Sequence, residues 1–148
     1  MKISLFTITL SCMLFAAAAN SRTVAGEPAT APKAGTEQTQ MLLQAFYTDY
    51  CTFIAQGPDS AAEPKLRECL TPETLRKVTR VRTEQLYDPI IRAQDFDTDA
   101  VATITVTHVD GAWYAVAYLD RYNNKCVVIP VKATVENGAL KITDITIR

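Results

Sequence analysis

Residues 95–111 read DFDTDAVATITVTHVDG, and the periodicity of the chain changes across them. Before this stretch, apolar residues recur at helical spacing. After it they alternate, strand after strand, to the end. Val101 to His108 reads as a first strand, closed by the turn pair Asp110–Gly111. Trp113 to Leu119 reads as a second strand, and Trp113 and Tyr114 must point to opposite faces of it. Cys126 to Glu136 is a third, with Val127, Ile129, Val131, Ala133 and Val135 on one face. Pro130 within it suggests a bulge or an edge position, because proline cannot donate to a ladder. Asn137–Gly138 is the strongest hairpin signal. Leu140 to Ile147 is a fourth strand. There Leu140 and Ile142 run out of phase with Ile145 and Ile147, which calls for a bulge near Thr143–Asp144.

Upstream, Thr36 is placed to cap a long helix whose stripe is Leu42, Phe46, Tyr50, Phe53 and Ile54, widened by Leu43 and Tyr47. Gly57–Pro58 stops it. A shorter helix follows Pro64. Thr71–Pro72–Glu73 then combines a capping residue, proline at the first helical position and an acid, a strong helix start. Arg76, Lys77, Arg80 and Arg82 read as a solvated basic face, with an anion or partner patch as the sharper reading. Asp88–Pro89 is expected to cap one helical turn, and loss of such a cap would cost about 1 kcal/mol. The expected fold class is α+β: N-terminal helices packed on a curved, four-stranded antiparallel meander.

The first nineteen residues carry Lys2, an uncharged apolar run and the cluster Ala16–Ala19, the parts of a secretory signal. Cleavage after Ala19 is expected, with Ser21 as the next site. Leu10–Ser11–Cys12 resembles a lipoprotein processing site. Thr9 and the apolar run left downstream weigh against that route. Residues 20–35, rich in Ala, Thr, Pro and Gly, read as a linker, and 36–148 as one domain. The protein is thus expected to be exported, periplasmic or secreted, with no stable membrane span after processing. Processing removes one cation, leaving fourteen Lys and Arg against sixteen Asp and Glu, a net charge of −2. That excess of acids excludes non-specific attraction to nucleic acid.

Cys51 and Cys69 flank the Gly57–Pro58–Asp59 turn. If the chain reverses there the two can form a disulfide with Cys126 free; three free thiols is the alternative. Without a C-x-x-C pair or a histidine cluster, no metal is expected, and no cofactor motif is present. His108, the single histidine, lies beside Asp110 at a hairpin, where turn polarity explains both.

The order of elements, the stretch Tyr87–Asp88–Pro89 followed by Ala93–Gln94–Asp95, and the aromatic first helix (Phe46, Tyr47, Tyr50) carry a resemblance. The chain resembles an uncharacterised family of bacterial envelope domains within the cone-shaped superfamily of nuclear transport factor two, also called cystatin-like. The resemblance implies a cone whose wide end often holds a pocket, in some members an enzyme site with an Asp base. Here Asp49, Asp88, Asp95 and His108 would be the candidates. A pocket mouth would draw on Tyr47, Tyr50, Tyr87, Asp88, Gln94 and Asp95. Capping and turn roles account for Asp88 and Asp95 without catalysis. The expectation is a non-catalytic domain that binds a protein or small ligand, compatible with a dimer. The alternatives are a proton-transfer isomerase or dehydratase and an inhibitor or immunity-type protein.

Overall fold

The computed structural model describes residues 34–57 and 61–147. The signal and nearly all of the linker lie outside them. The order is α1 (Ala34–Gln56), α2 (Ala62–Cys69), α3 (Pro72–Gln85), α4 (Thr98–Val101), β1 (Thr105–Asp110), β2 (Trp113–Asp120), β3 (Lys125–Glu136) and β4 (Ala139–Ile145). The strands form one open antiparallel sheet in the order β1-β2-β3-β4. The fold is α+β, as the change of periodicity requires.

Helix α1 buries Leu43, Phe46, Tyr47, Tyr50 and Cys51 against the inner face of the sheet, including Val116, Ile129, Val131 and Ile142. Each fully buried large side chain contributes about 1.5–3 kcal/mol. The ring of Phe46 meets Tyr47 edge-on at 5.4 Å and stacks on Tyr50 at 5.7 Å. Thr36 lies inside α1 and not at its cap. Pro64 falls in the first turn of α2, where a missing N–H costs no helical bond. Thr71 caps α3 as its sequence requires, accepting from Thr74 N at 3.4 Å.

Three local expectations change. Val101 belongs to the short helix α4, because Asp97 caps it by accepting from Asp99 N at 3.0 Å; β1 starts only at Thr105. Asp88–Pro89 opens no helical turn. The loop is closed by an antiparallel bridge, with Asp88 N donating to Ala93 O at 2.9 Å. Pro130 sits in a strand paired on both sides, not at an edge. Its position is tolerated because the β3–β4 ladder ends there. Thr146 N donates to Pro130 O at 3.1 Å, and the return donor that proline lacks comes from Arg92, whose Nη2 donates to Thr146 O at 2.9 Å. Arg92 Nη1 also donates to Val128 O at 2.8 Å, so one guanidinium finishes the open end of the ladder. The bulge falls at Thr143, between the pairs Lys132–Asp144 and Ala133–Ile142, and brings both halves of β4 into phase.

Cys51, Cys69 and Cys126 are free thiols, and the Cys51–Cys69 bridge is not formed. The reason is helix register. Lys65 pairs with Asp49 at 2.8 Å, and Cys69 lies beside Ala45 and Phe46. Cys51 is thus five or six residues further along α1 than the turn facing Cys69, roughly 7.5–9 Å at the helical rise. That exceeds the reach of a disulfide. Burial pushes both thiols up, most strongly that of Cys51, and this suppresses the reactive thiolate. Under native conditions a thiol reagent should therefore label Cys126, which is exposed, and reach Cys51 and Cys69 only on unfolding. Peptide mapping after alkylation checks this, and recovery of linked Cys51 and Cys69 peptides would restore the bridge.

Both sheet edges are partly covered. At β1, Gln40 Nε2 donates to Val106 O at 2.9 Å and Gln44 Nε2 to Ile104 O at 3.0 Å. At β4, Thr71 N donates to Ile142 O at 3.0 Å and Lys77 Nζ to Ile145 O at 2.8 Å. Pairing with an added strand therefore requires these donors to leave.

Candidate functional site

The remaining irregular backbone gathers at one end of the sheet. Residues 86–97, between α3 and α4, lie there with the β2–β3 turn. Helix α3 ends on Leu86, which takes a left-handed conformation (φ 54°) and closes the last turn by donating from its N–H to Arg82 O at 3.1 Å. Gln94 reaches back from across the loop, its Nε2 donating to Leu86 O at 3.1 Å.

Under this loop lies a charged cluster. Asp88 Oδ2 accepts from Arg82 Nη2 at 2.7 Å and from the Tyr50 hydroxyl, and Oδ1 accepts from Ile90 N at 2.8 Å. Arg82 also contacts the Tyr50 hydroxyl and donates from Nη1 to Glu63 at 2.9 Å. The Asp88 side chain is 11% exposed and that of Arg82 25%. Desolvation, then the nearby Asp88 charge, holds the Tyr50 phenol far above the usual tyrosine range. Tyr50 therefore acts as a hydrogen-bond donor and not as a base. Asp88 is equally committed: its two oxygens are taken up by an arginine, a phenol and a backbone amide.

Two shallow clefts open beside the cluster. One, of about 300 Å³, is lined by Ile54, Glu63, Arg82, Leu86, Tyr87 and Gln94 among others. The other, of about 400 Å³, lies between Gln94–Asp97 and the β2–β3 turn, with Phe96 and Tyr118 at its floor and Tyr122 at its rim. Gln94 lines both. Leu86 and Tyr122 stand 74% and 82% exposed at the two sides.

Of the sequence candidates, Tyr87, Asp88, Gln94 and Asp95 come together here. Tyr47 and Tyr50 do not line either cleft, since both are buried in the core face of α1. The Tyr47 hydroxyl is buried without a hydrogen-bond partner among the described residues. Asp49 lies away from this end, paired with Lys65. His108 Nε2 lies 3.0 Å from Gly111 O, a turn contact. Sequence reasoning missed Arg82, read as one of four solvated cations. The available signal was its spacing: Thr74, Val78 and Arg82 fall four apart, and the first two are buried. Among the described residues no three His, Cys, Asp or Glu side chains are grouped to hold a metal, and no helix is long and apolar enough to cross a membrane.

The architecture is that of an α+β domain with an open sheet, and two solved structures share it. A protein of unknown function from Bacteroides thetaiotaomicron VPI-5482 is 30% identical, with a TM-score of 0.67, over 75% of this chain and 90% of that one. The chain belongs to the same family as that protein. A chain of the type VI effector–immunity complex Tae3–Tai3 from Ralstonia pickettii matches at 18% identity and a TM-score of 0.56, over 72% of this chain and 93% of that one, a likeness of fold. No protein-family model matches the chain, and no curated protein does.

Proposed function

We propose that this is an exported, non-catalytic domain of the cell envelope that binds another protein through the end formed by residues 86–97 and the β2–β3 turn. The observation that carries the reading is Leu86. A left-handed residue at a helix end is ordinarily glycine, and a side chain there costs about 1 kcal/mol. Leu86 accepts that strain and still exposes 74% of its surface. The fold gains little from it; a partner would gain an apolar contact held in place by Gln94. The partly covered sheet edges favour the same end, since strand addition there must displace these donors. The commitment of Asp88 to Arg82 and Tyr50 weighs against the alternative, a proton-transfer enzyme with Asp as base.

An inhibitor or immunity-type role is the narrower form of this reading. The shared fold with a chain of an effector–immunity complex is compatible with it, and a shallow surface with exposed apolar residues suits a protein target. We also propose membership of the cone superfamily of nuclear transport factor two, on the helix-then-meander order.

The test is photocrosslinking in intact cells, with a photoreactive residue at Leu86, at Tyr122, or at Val109, which is exposed at the opposite end of the sheet. One shared adduct is expected from the first two positions and not the third. Leu86→Gly should preserve or raise stability while abolishing the Tyr122 adduct. Equal adducts from Val109, or a Leu86→Gly protein that crosslinks normally, would remove this surface from consideration. Intact mass of the cell-envelope fraction tests export: loss of about nineteen to twenty-one residues is expected from the signal pattern.

A further inference from the structure

The cleft beside Tyr122 carries a more specific recognition. Its floor is aromatic. Phe96 and Tyr118 pack with ring centroids 4.7 Å apart, the Tyr118 hydroxyl is spent on Ile91 O at 2.6 Å, and both side chains are largely buried, so they form an apolar base beneath the cleft. Its rim is a displayed tyrosine on a stiff turn. Asp120 accepts from Tyr122 N at 3.0 Å, from Asn123 N at 3.2 Å and from Asn123 Nδ2 at 2.7 Å, which presents the Tyr122 ring to solvent. The charges around the cleft are unequal in their freedom. Arg121 is drawn to Asp99 at 3.2 Å. Asp97 is occupied in capping α4. Asp95 is exposed and has no hydrogen bond or ion pair among the described residues. The cleft thus combines the exposed face of Tyr122, a carboxylate without a partner and a lone cation paired with Asp99.

We infer that this cleft receives a lysine or arginine side chain presented by the protein partner, with the cation held between the Tyr122 ring and the Asp95 carboxylate. A cation over an aromatic face is attracted by the ring quadrupole, and the long aliphatic stem of either residue suits the apolar floor. Arginine has the further advantage of a planar group that stacks on the ring while donating to a carboxylate. This inference rests on the reading that the partner is a protein and specifies what that protein must present.

The test needs no partner. N-acetyl-arginine methylamide is titrated into the isotopically labelled domain and followed by amide shifts at Gln94, Asp95 and Tyr122. The isosteric neutral citrulline compound and N-acetylglucosamine serve as comparisons. Saturable millimolar binding of the arginine compound is expected, weakened at least fivefold by added salt, by Asp95→Asn or by Tyr122→Ala. Asp99→Asn should also weaken it, because it releases Arg121 to compete for Asp95. Both aspartates are exposed, so their variants should fold; unchanged shifts elsewhere in the sheet confirm it. Equal binding of the citrulline compound would reduce the site to stacking and overturn the inference, as would preferred binding of the sugar or no binding at all. Absence of binding with intact crosslinking from Tyr122 would refute the cation site alone. Cation binding with no crosslinked partner would leave the site and refute the protein-partner reading.

Discussion

Raising the pH above 10 should unfold the domain in one step, with ionisation of its buried tyrosines and loss of secondary structure coinciding. Tyr47, Tyr50 and Tyr118 are buried, and desolvation raises the pKa of each phenol, most strongly for Tyr47 and Tyr50. Asp88 adds to the shift at Tyr47 and Tyr50, and Asp120 to that at Tyr118. In the unfolded chain a tyrosine releases its proton near pH 10. Above that pH the unfolded state binds fewer protons than the folded state, so stability falls as pH rises. The contribution is complete below pH 10 and is lost through the window up to the raised folded values. Three phenols together give a slope of about 4 kcal/mol per pH unit. The buried Cys51 thiol, also pushed up, begins the decline near pH 9. Against a stability of about 5–15 kcal/mol, these slopes place unfolding between about pH 11 and about pH 12.5. The part of the tyrosinate absorbance that belongs to Tyr47, Tyr50 and Tyr118 should therefore appear together with the loss of far-ultraviolet circular dichroism. Tyr118→Phe should reduce the slope by about 1.4 kcal/mol per pH unit. Full ionisation of all tyrosines with an intact dichroism spectrum would refute the assignment.

Asp88→Ala should cost about 3 kcal/mol, well beyond the cost of a lost cap. The substitution removes the acceptor for Arg82, Tyr50 and Ile90 N at once. It leaves a buried phenol without its acceptor and a half-buried guanidinium with Glu63 as its one remaining ion-pair partner among the described residues. Arg82→Met leaves the Asp88 charge in a site where its side chain is 11% exposed. Because each single variant strands a partner, the double variant should cost less than the sum of the two. Urea denaturation of the four proteins in the cycle measures this. A loss near 1 kcal/mol with additive behaviour would return Asp88 to a local turn role. The larger cost follows from tertiary contact: Tyr50, Arg82 and Asp88 come from α1, α3 and the following loop, and they meet only when all three are packed.

The class of fold, the four strands, the hairpin turns, the cap on α3 and the bulge in β4 were legible in the chain, because each depends on neighbours a few residues away. Asn137–Gly138 needs two positive φ values, and those residues supply them wherever the hairpin lies. A period of two and a period of 3.6 likewise report which face is buried without reference to what buries it. The free state of Cys51 and Cys69 was not legible, since helix register decides it and sequence separation does not. Nor was the tolerance of Pro130, which depends on a guanidinium from a distant loop. Arg82 looked like its neighbours Arg76 and Arg80 because composition is blind to facing; only the packing of α3 against α2 and β4 turned it toward Tyr50 and Asp88. Leu86 was an unremarkable letter for the same reason. Local propensity determined the elements of this protein, while the assembly of elements far apart in sequence decided which side chains share a cleft and which charges are spent.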